Sequence, residues 1–352
     1  MTSQPTKFTL ILGAGASFDF GLPLGERLRT SIARDLDIKF DEFGSRLESG
    51  SHEIVGALRV IVNSSDDGRR RDINPHRVAA VQIAEAMPYS SSIDEYIERH
   101  SDNKMKAQCA KLAIGKAILE EERSSKIFSD FMNPSVDPLR NATDTWPALF
   151  LRDITRGLSK QEVVQALSEF SVINFNYDRC FEQFTYHWLR RIYEFDELQA
   201  GEIVANMSIY HPYGKIGDLP FEVPSSHIPY GGEVDVHRLL NMMNRIRTYS
   251  EAVDQDHGLT EAIERMGRAR KFVFLGFGFH KQNLDLLQLP ARFERSTARC
   301  YATTVDVPEP RWEILRGRIC QAFGISDNNL FVERNSKDCS SFWKEFGETI
   351  IA

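Results

Sequence analysis

A chain of 352 residues corresponds to about two domain-equivalents at roughly 150 residues each, enough for a sizeable buried core. Its 43 Lys and Arg against 50 Asp and Glu give a net charge of −7, which argues against a dedicated nucleic-acid binder needing clustered cations for phosphate. At 42% hydrophobic and 26% charged the composition is that of an ordinary globular protein, and no apolar run approaches the roughly 20 residues that cross a bilayer.

The first element is the apolar run Phe8-Thr9-Leu10-Ile11-Leu12, read as a buried strand ending in the glycine turn Gly13-Ala14-Gly15-Ala16-Ser17. Leu24, Leu28, Ile32 and Leu36 then recur at helical spacing. From residue 30 to 168 strand signals are few. Helices are expected over 53–62, over 75–86 with Asn74 as N-cap, over 105–123, from Trp146-Pro147 onward, and over 160–170 behind Ser159. Glu121-Glu122-Arg123 reads as a solvated helix end, and Arg69-Arg70-Arg71 as a solvated loop. Asn141-Ala142-Thr143 matches a glycosylation sequon by chance, because the polar first seven residues lack the apolar region of a signal peptide. A cytoplasmic location without membrane association is expected.

After Phe170 short apolar strands are expected at 171–175, 207–210, 272–275, 300–305 and 330–332, separated mainly by helical stretches, with a Pro/Gly-rich loop over 220–232. Strand–helix alternation implies a mostly parallel sheet with helices on both faces, an α/β Rossmann-like fold. The core is therefore assigned to residues 1–29 and 169–352, interrupted by a large helical insertion over 30–168. The five cysteines, Cys109, Cys180, Cys300, Cys320 and Cys339, are scattered and lack the C-x₂₋₄-C spacing of a zinc ribbon, so most of them are expected to be buried small hydrophobes and no metal is expected.

Gly13 and Gly15 after a strand would let backbone N–H groups approach a pyrophosphate. The dinucleotide fingerprint G-x-G-x-x-G nevertheless fails, because Phe18 holds the third glycine position, and no lysine follows to make a P-loop. Ser17 has no G-x-S-x-G elbow, which disfavours a serine hydrolase. The loop instead continues to Gly21-Leu22-Pro23. Later in the chain come Ile173-Asn174-Phe175-Asn176-Tyr177-Asp178, then His211-Pro212-Tyr213-Gly214, then Leu275-Gly276-Phe277-Gly278-Phe279 followed by Asn283.

In that order these segments resemble the motifs of sirtuin-like proteins. Ser92-Ile93-Asp94-Glu95-Tyr96 is similar to a segment of the zinc-free bacterial branch of that family. The resemblance implies that Gly13, Ala14, Gly15, Ala16, Ser17, Pro23, Asp178, Tyr213, Gly276, Gly278 and Asn283 bind NAD. It also implies NAD hydrolysis in antiviral defence, a homo-oligomer, and a separately encoded sensor or ATPase partner. The missing zinc cysteines weigh against a second possibility, a deacylase or ADP-ribosyltransferase.

Cleaving nicotinamide from NAD passes through an oxocarbenium-like sugar, so the site must orient the ribose and stabilise positive charge. Asn176, at the carboxyl end of a strand, fits that role through its amide; its plainer reading is a turn residue. His211 is the general-base candidate. Here the chain departs from the family, because Tyr213 occupies the position immediately before Gly214, where the family carries its catalytic His. Three alternatives stay open: His211 is the base; His211 is structural while Tyr213 contributes a hydroxyl; or catalysis is lost, leaving a regulatory or assembly subunit that binds NAD or ADP-ribose. His280 is a second candidate near the nucleotide, with a solvent-facing helix start as its plainer reading. The stripe Phe181, Phe184 and Trp188 reads as core.

Overall fold

The computed structural model describes residues 6–64, 72–129, 137–223, 227–254, 257–293, 298–305, 307–325, 330–335 and 338–352. The chain begins with β1 (Phe8–Leu12), followed by α1 (Ala14–Phe18) and α2 (Gly25–Leu36). A small antiparallel hairpin, β2 (Lys39–Phe40) and β3 (Leu47–Ser49), comes next, where no strand is expected from the sequence. Helices α3 (His52–Asn63), α4 (Asn74–Ala86), α5 (Ile93–Arg99), α6 (Lys104–Ser124), α7 (Trp146–Ile154) and α8 (Lys160–Ser168) then lead to β4 (Phe170–Asn174). The second half runs α9 (Cys180–Tyr193), α10 (Glu197–Ala205), β5 (Ile209–Tyr210), α11 (Val236–Arg245), α12 (Tyr249–Asp254), α13 (His257–Met266) and β6 (Lys271–Leu275). It closes with α14 (Lys281–Leu286), β7 (Ala298–Thr303), α15 (Glu309–Phe323), β8 (Leu330–Asn335) and α16 (Cys339–Ile351).

Among the described residues six strands form one sheet in the order β5-β4-β1-β6-β7-β8, and every pairing is parallel. This is the α/β, Rossmann-like architecture expected from the strand–helix alternation. The strand order reverses at β1, between β4 on one side and β6 on the other, which makes the carboxyl end of β1 the switch point where such sheets bind ligands. Leu12 is level with Asn174 of β4 and Leu275 of β6, so three strands end side by side.

Both faces of the sheet are covered, as period-2 alternation along the strands requires. Ile11, Ile173, Phe272 and Phe274 join one core with residues of α2 to α6, α11 and α15. Leu10, Leu12, Val172, Val273 and Leu275 join the other with residues of α7, α9, α10 and α16. Aromatic packing anchors this second core: Trp146 stacks on Phe181 at 5.7 Å, and Phe150 meets Trp343 edge-on at 5.0 Å. Helices α2 to α6 therefore share a core with the sheet, and α7 and α8 lie against its other layer. The boundary expected at residue 30 falls inside α2.

One side-chain expectation is overturned and another holds. Glu122 is not at a solvated helix end: it is fully buried and ion-paired to the equally buried Arg179 at 2.5 Å. The five cysteines are all free and buried, as small hydrophobes would be. Arg69-Arg70-Arg71 lies outside the described residues.

Candidate functional site

The two glycine turns beyond β1 and β6 pack backbone against backbone. Gly13 N–H donates to the Leu275 carbonyl and Gly15 N–H to the Gly276 carbonyl, each at 3.0 Å. A Cβ at Gly13 would lie 2.6 Å from Gly276 O, and one at Gly276 would lie 2.1 Å from Ala16 N. Gly276 also has φ +57°, the left-handed region that favours glycine. Thr303 holds the same turn, its hydroxyl oxygen accepting from Gly276 N–H at 2.7 Å. The glycines of the first loop thus serve close approach of two turns, and the N–H groups of Gly13 and Gly15 are spent on that contact.

Above this junction opens a cleft of about 1260 Å³, larger than the roughly 300–1,000 Å³ of common small-molecule sites. Of the residues expected to bind NAD, all except Ala16 line it. Ala16 is buried behind the loop, its carbonyl accepting from the Trp146 indole N–H at 2.8 Å. Asn176 lines the cleft as well; His211 does not.

Asn176 is held by its amide nitrogen. Nδ2 donates to the Gly13 carbonyl at 2.9 Å and to the Ser17 hydroxyl oxygen at 3.1 Å, and Ser17 in turn donates to Asp178 Oδ2 at 2.8 Å. A carbonyl can only accept, so the amide is oriented with nitrogen toward Gly13. Its Oδ1 is left without a protein partner among the described residues. Asp178 is committed too: Oδ1 accepts from Cys180 N–H at 3.1 Å. Burial raises the Asp178 carboxyl above its ordinary range, against the lowering effect of the Cys180 and Ser17 hydrogen bonds.

The turn His211-Pro212-Tyr213-Gly214 directs Tyr213, not His211, into the cleft. Gly214, at φ +70°, allows this: a Cβ there would lie 1.9 Å from Arg245 O. Tyr213 donates its hydroxyl to Asn283 Oδ1 at 2.7 Å, and burial pushes its pKa far above the ordinary value, so it is a neutral hydroxyl and not a base. His211 is buried behind the cleft floor, with Nδ1 at 2.8 Å from the Asn176 carbonyl oxygen and Nε2 at 2.8 Å from Glu182 Oε1.

The opposite wall comes from α5. Its N-cap Ser92 accepts from Glu95 N–H at 3.0 Å. Asp94 then projects into the cleft, where it accepts from the Tyr177 hydroxyl. Burial raises the Asp94 carboxyl; the Tyr177 hydrogen bond and His280 across the cleft act to lower it. His280 lies on the cleft wall and is exposed. Asp94 and Tyr177 stand inside the quoted motifs, yet only the fold shows them paired. Arg29, Thr304 and Arg311 also line the cleft and carry no sequence signal for it.

Among the described residues no group of His, Cys, Asp and Glu could hold a metal ion, and no helix is long and apolar enough to cross a membrane. No protein-family model matches the chain, and no curated protein matches it significantly.

Proposed function

We propose that this chain is an NAD⁺ glycohydrolase, releasing nicotinamide and ADP-ribose. The observation that carries the reading is the Asn176 amide. Both of its N–H bonds are satisfied by Gly13 and Ser17, so its oxygen is the end offered to the cleft. A fixed amide oxygen accepts from a ribose hydroxyl or from water, and its negative end favours positive charge developing at the anomeric carbon. The glycosidic C–N bond breaks with its electron pair leaving on nicotinamide, which neutralises the pyridinium. Water adds to the anomeric carbon and gives up one proton.

Further support comes from the switch-point location, the size of the cleft, and the Tyr213–Asn283 pair available to a polar ring substituent or ribose. By its resemblance to sirtuin-like proteins of the zinc-free bacterial branch, the reaction depletes NAD in antiviral defence. A homo-oligomer, or a separately encoded sensor or ATPase, then controls it. A second reading, NAD or ADP-ribose binding without turnover, draws on the engagement of both His211 ring nitrogens.

Incubating purified protein with NAD⁺ and following nicotinamide and ADP-ribose tests both. Release that is lost in Asn176→Ala supports hydrolysis at this site. Binding with no turnover in any oligomeric state favours the second reading, and neither binding nor turnover overturns both.

A further inference from the structure

We infer that His211 and Glu182 form a positioning pair that sets the Asn176 peptide, and that His211 is not the proton acceptor of the reaction. A general base needs a ring nitrogen facing the proton it takes. The His211 ring has none free: Nδ1 meets a carbonyl oxygen and Nε2 a carboxylate, both at 2.8 Å. Each neighbour is an acceptor, so each ring nitrogen is called on to donate. His211 also lies outside the cleft wall that holds Asn176, Tyr213 and His280.

Glu182 is the member of the pair with no sequence signal. It sits in the first turn of α9 and is almost fully buried. Its Oε1 takes the His211 ring, with Lys215 Nζ 3.9 Å away on the same oxygen, while Oε2 has no hydrogen-bond partner among the described residues. Lys215 itself is held by Glu222 at 2.5 Å. A buried carboxylate with one engaged oxygen fixes the imidazole plane, and the imidazole fixes the carbonyl of the residue whose amide reaches the cleft. Carboxylate–imidazole–carbonyl is a chain of orientation, with the chemistry one residue away at the Asn176 side chain.

The kinetic arm of the test rests on the NAD-hydrolase reading; the chemical arm does not. In the chemical arm, wild-type protein without ligand is treated with diethyl pyrocarbonate, which acylates an accessible imidazole nitrogen, and the sites are mapped by mass spectrometry. His280, exposed on the cleft wall, is the internal reference. His280 is expected to be modified and His211 spared. Modification of His211 at a rate comparable to His280 overturns the inference.

In the kinetic arm, Asn at position 211 keeps an amide donor near the place of Nδ1, and Gln at 182 removes the charge it would otherwise leave unpaired. The double variant His211→Asn/Glu182→Gln is expected to lower kcat by no more than about tenfold with KM unchanged, whereas loss of a true base costs about 10²–10⁴-fold. His211→Leu/Glu182→Leu, which cannot hold the Asn176 carbonyl, is expected to lose more than the Asn/Gln pair. If the folded Asn/Gln pair is as inactive as Asn176→Ala, the positioning role is wrong. If wild-type protein does not cleave NAD⁺ at all, it is the hydrolase reading that fails, and the acylation pattern still tests whether both His211 ring nitrogens are engaged.

Discussion

Asn176 and Gly13 are joined across 163 positions of sequence by one hydrogen bond, from the Asn176 amide nitrogen to the Gly13 carbonyl at 2.9 Å. The bond ties the loop after β4 to the loop after β1 and leaves the amide oxygen for the cleft. Asn176→Asp keeps the shape but turns the donor into an acceptor facing Gly13 O and the Ser17 hydroxyl. On the hydrolase reading, kcat is expected to fall by about 10²–10³-fold, the scale of losing one oriented group at developing charge. Steady-state nicotinamide release checks this, and wild-type turnover in Asn176→Asp would show that amide orientation is irrelevant.

The glycine junction is a packing requirement before it is a binding one. Gly276→Ala must fit a methyl where Ala16 N stands 2.1 Å away, at a φ of +57° that alanine tolerates poorly. A loss of about 2–4 kcal/mol is expected, since backbone cannot move aside as a side chain can. Urea unfolding would register it as a lower midpoint with an unchanged slope. A variant as stable as wild type would mean that the two turns can separate at little cost.

Glu122 and Arg179 fasten α6 to the segment that carries Asp178. Arg179 donates to Glu122 and also to the carbonyls of Ile228 and Pro229, at 2.5 and 3.3 Å. Glu122→Ala would leave a fully buried guanidinium without its counter-charge, which costs about 3–5 kcal/mol. The chain is expected to lose most of its cooperative unfolding transition near room temperature. A shift under about 1 kcal/mol would mean that water reaches Arg179 in the variant.

Acid sensitivity should trace partly to Glu182. Burial alone would raise its carboxyl, but the His211 ring, their hydrogen bond and Lys215 outweigh burial and hold it at about 2, below the ordinary 4.5. Between those values the unfolded chain binds more protons than the folded one, so stability is full above about pH 4.5 and is lost as pH falls toward about 2. The shift corresponds to a contribution of order 3 kcal/mol. Glu182→Gln cannot titrate, so its stability is expected to fall less steeply than that of wild type between about pH 5 and pH 3. Parallel slopes in urea unfolding would contradict this origin.

Much of the sheet was legible because its strands are short apolar runs: β1 falls on Phe8–Leu12 as expected, and β4 begins only one residue earlier than expected. The Ser159 cap was legible for the same local reason, since its capping box with Glu162 lies within four residues. The hairpin β2–β3 was not, because strands of two and three residues carry too few positions for a period to show. At the site, glycine turns and strand-end polar residues marked the cleft, since they follow apolar runs directly. Partnerships across the fold left no such trace. Nothing in the sequence near Glu122 announces Arg179, and the His211 motif does not reveal that its ring turns toward Glu182 while Tyr213 faces the cleft.

The placement of β1 at the centre of the sheet has a consequence for how the protein is made. Its neighbours β4 and β6 begin at Phe170 and Lys271, so the amino-terminal loop has nothing to pair with while the ribosome is still translating the helices between. At about 5–20 residues per second, roughly 10–50 s separate the synthesis of Gly13 from that of Gly276. The first-translated loop of the cleft therefore waits for both of its neighbouring strands, and an unfinished polypeptide carries no formed cleft.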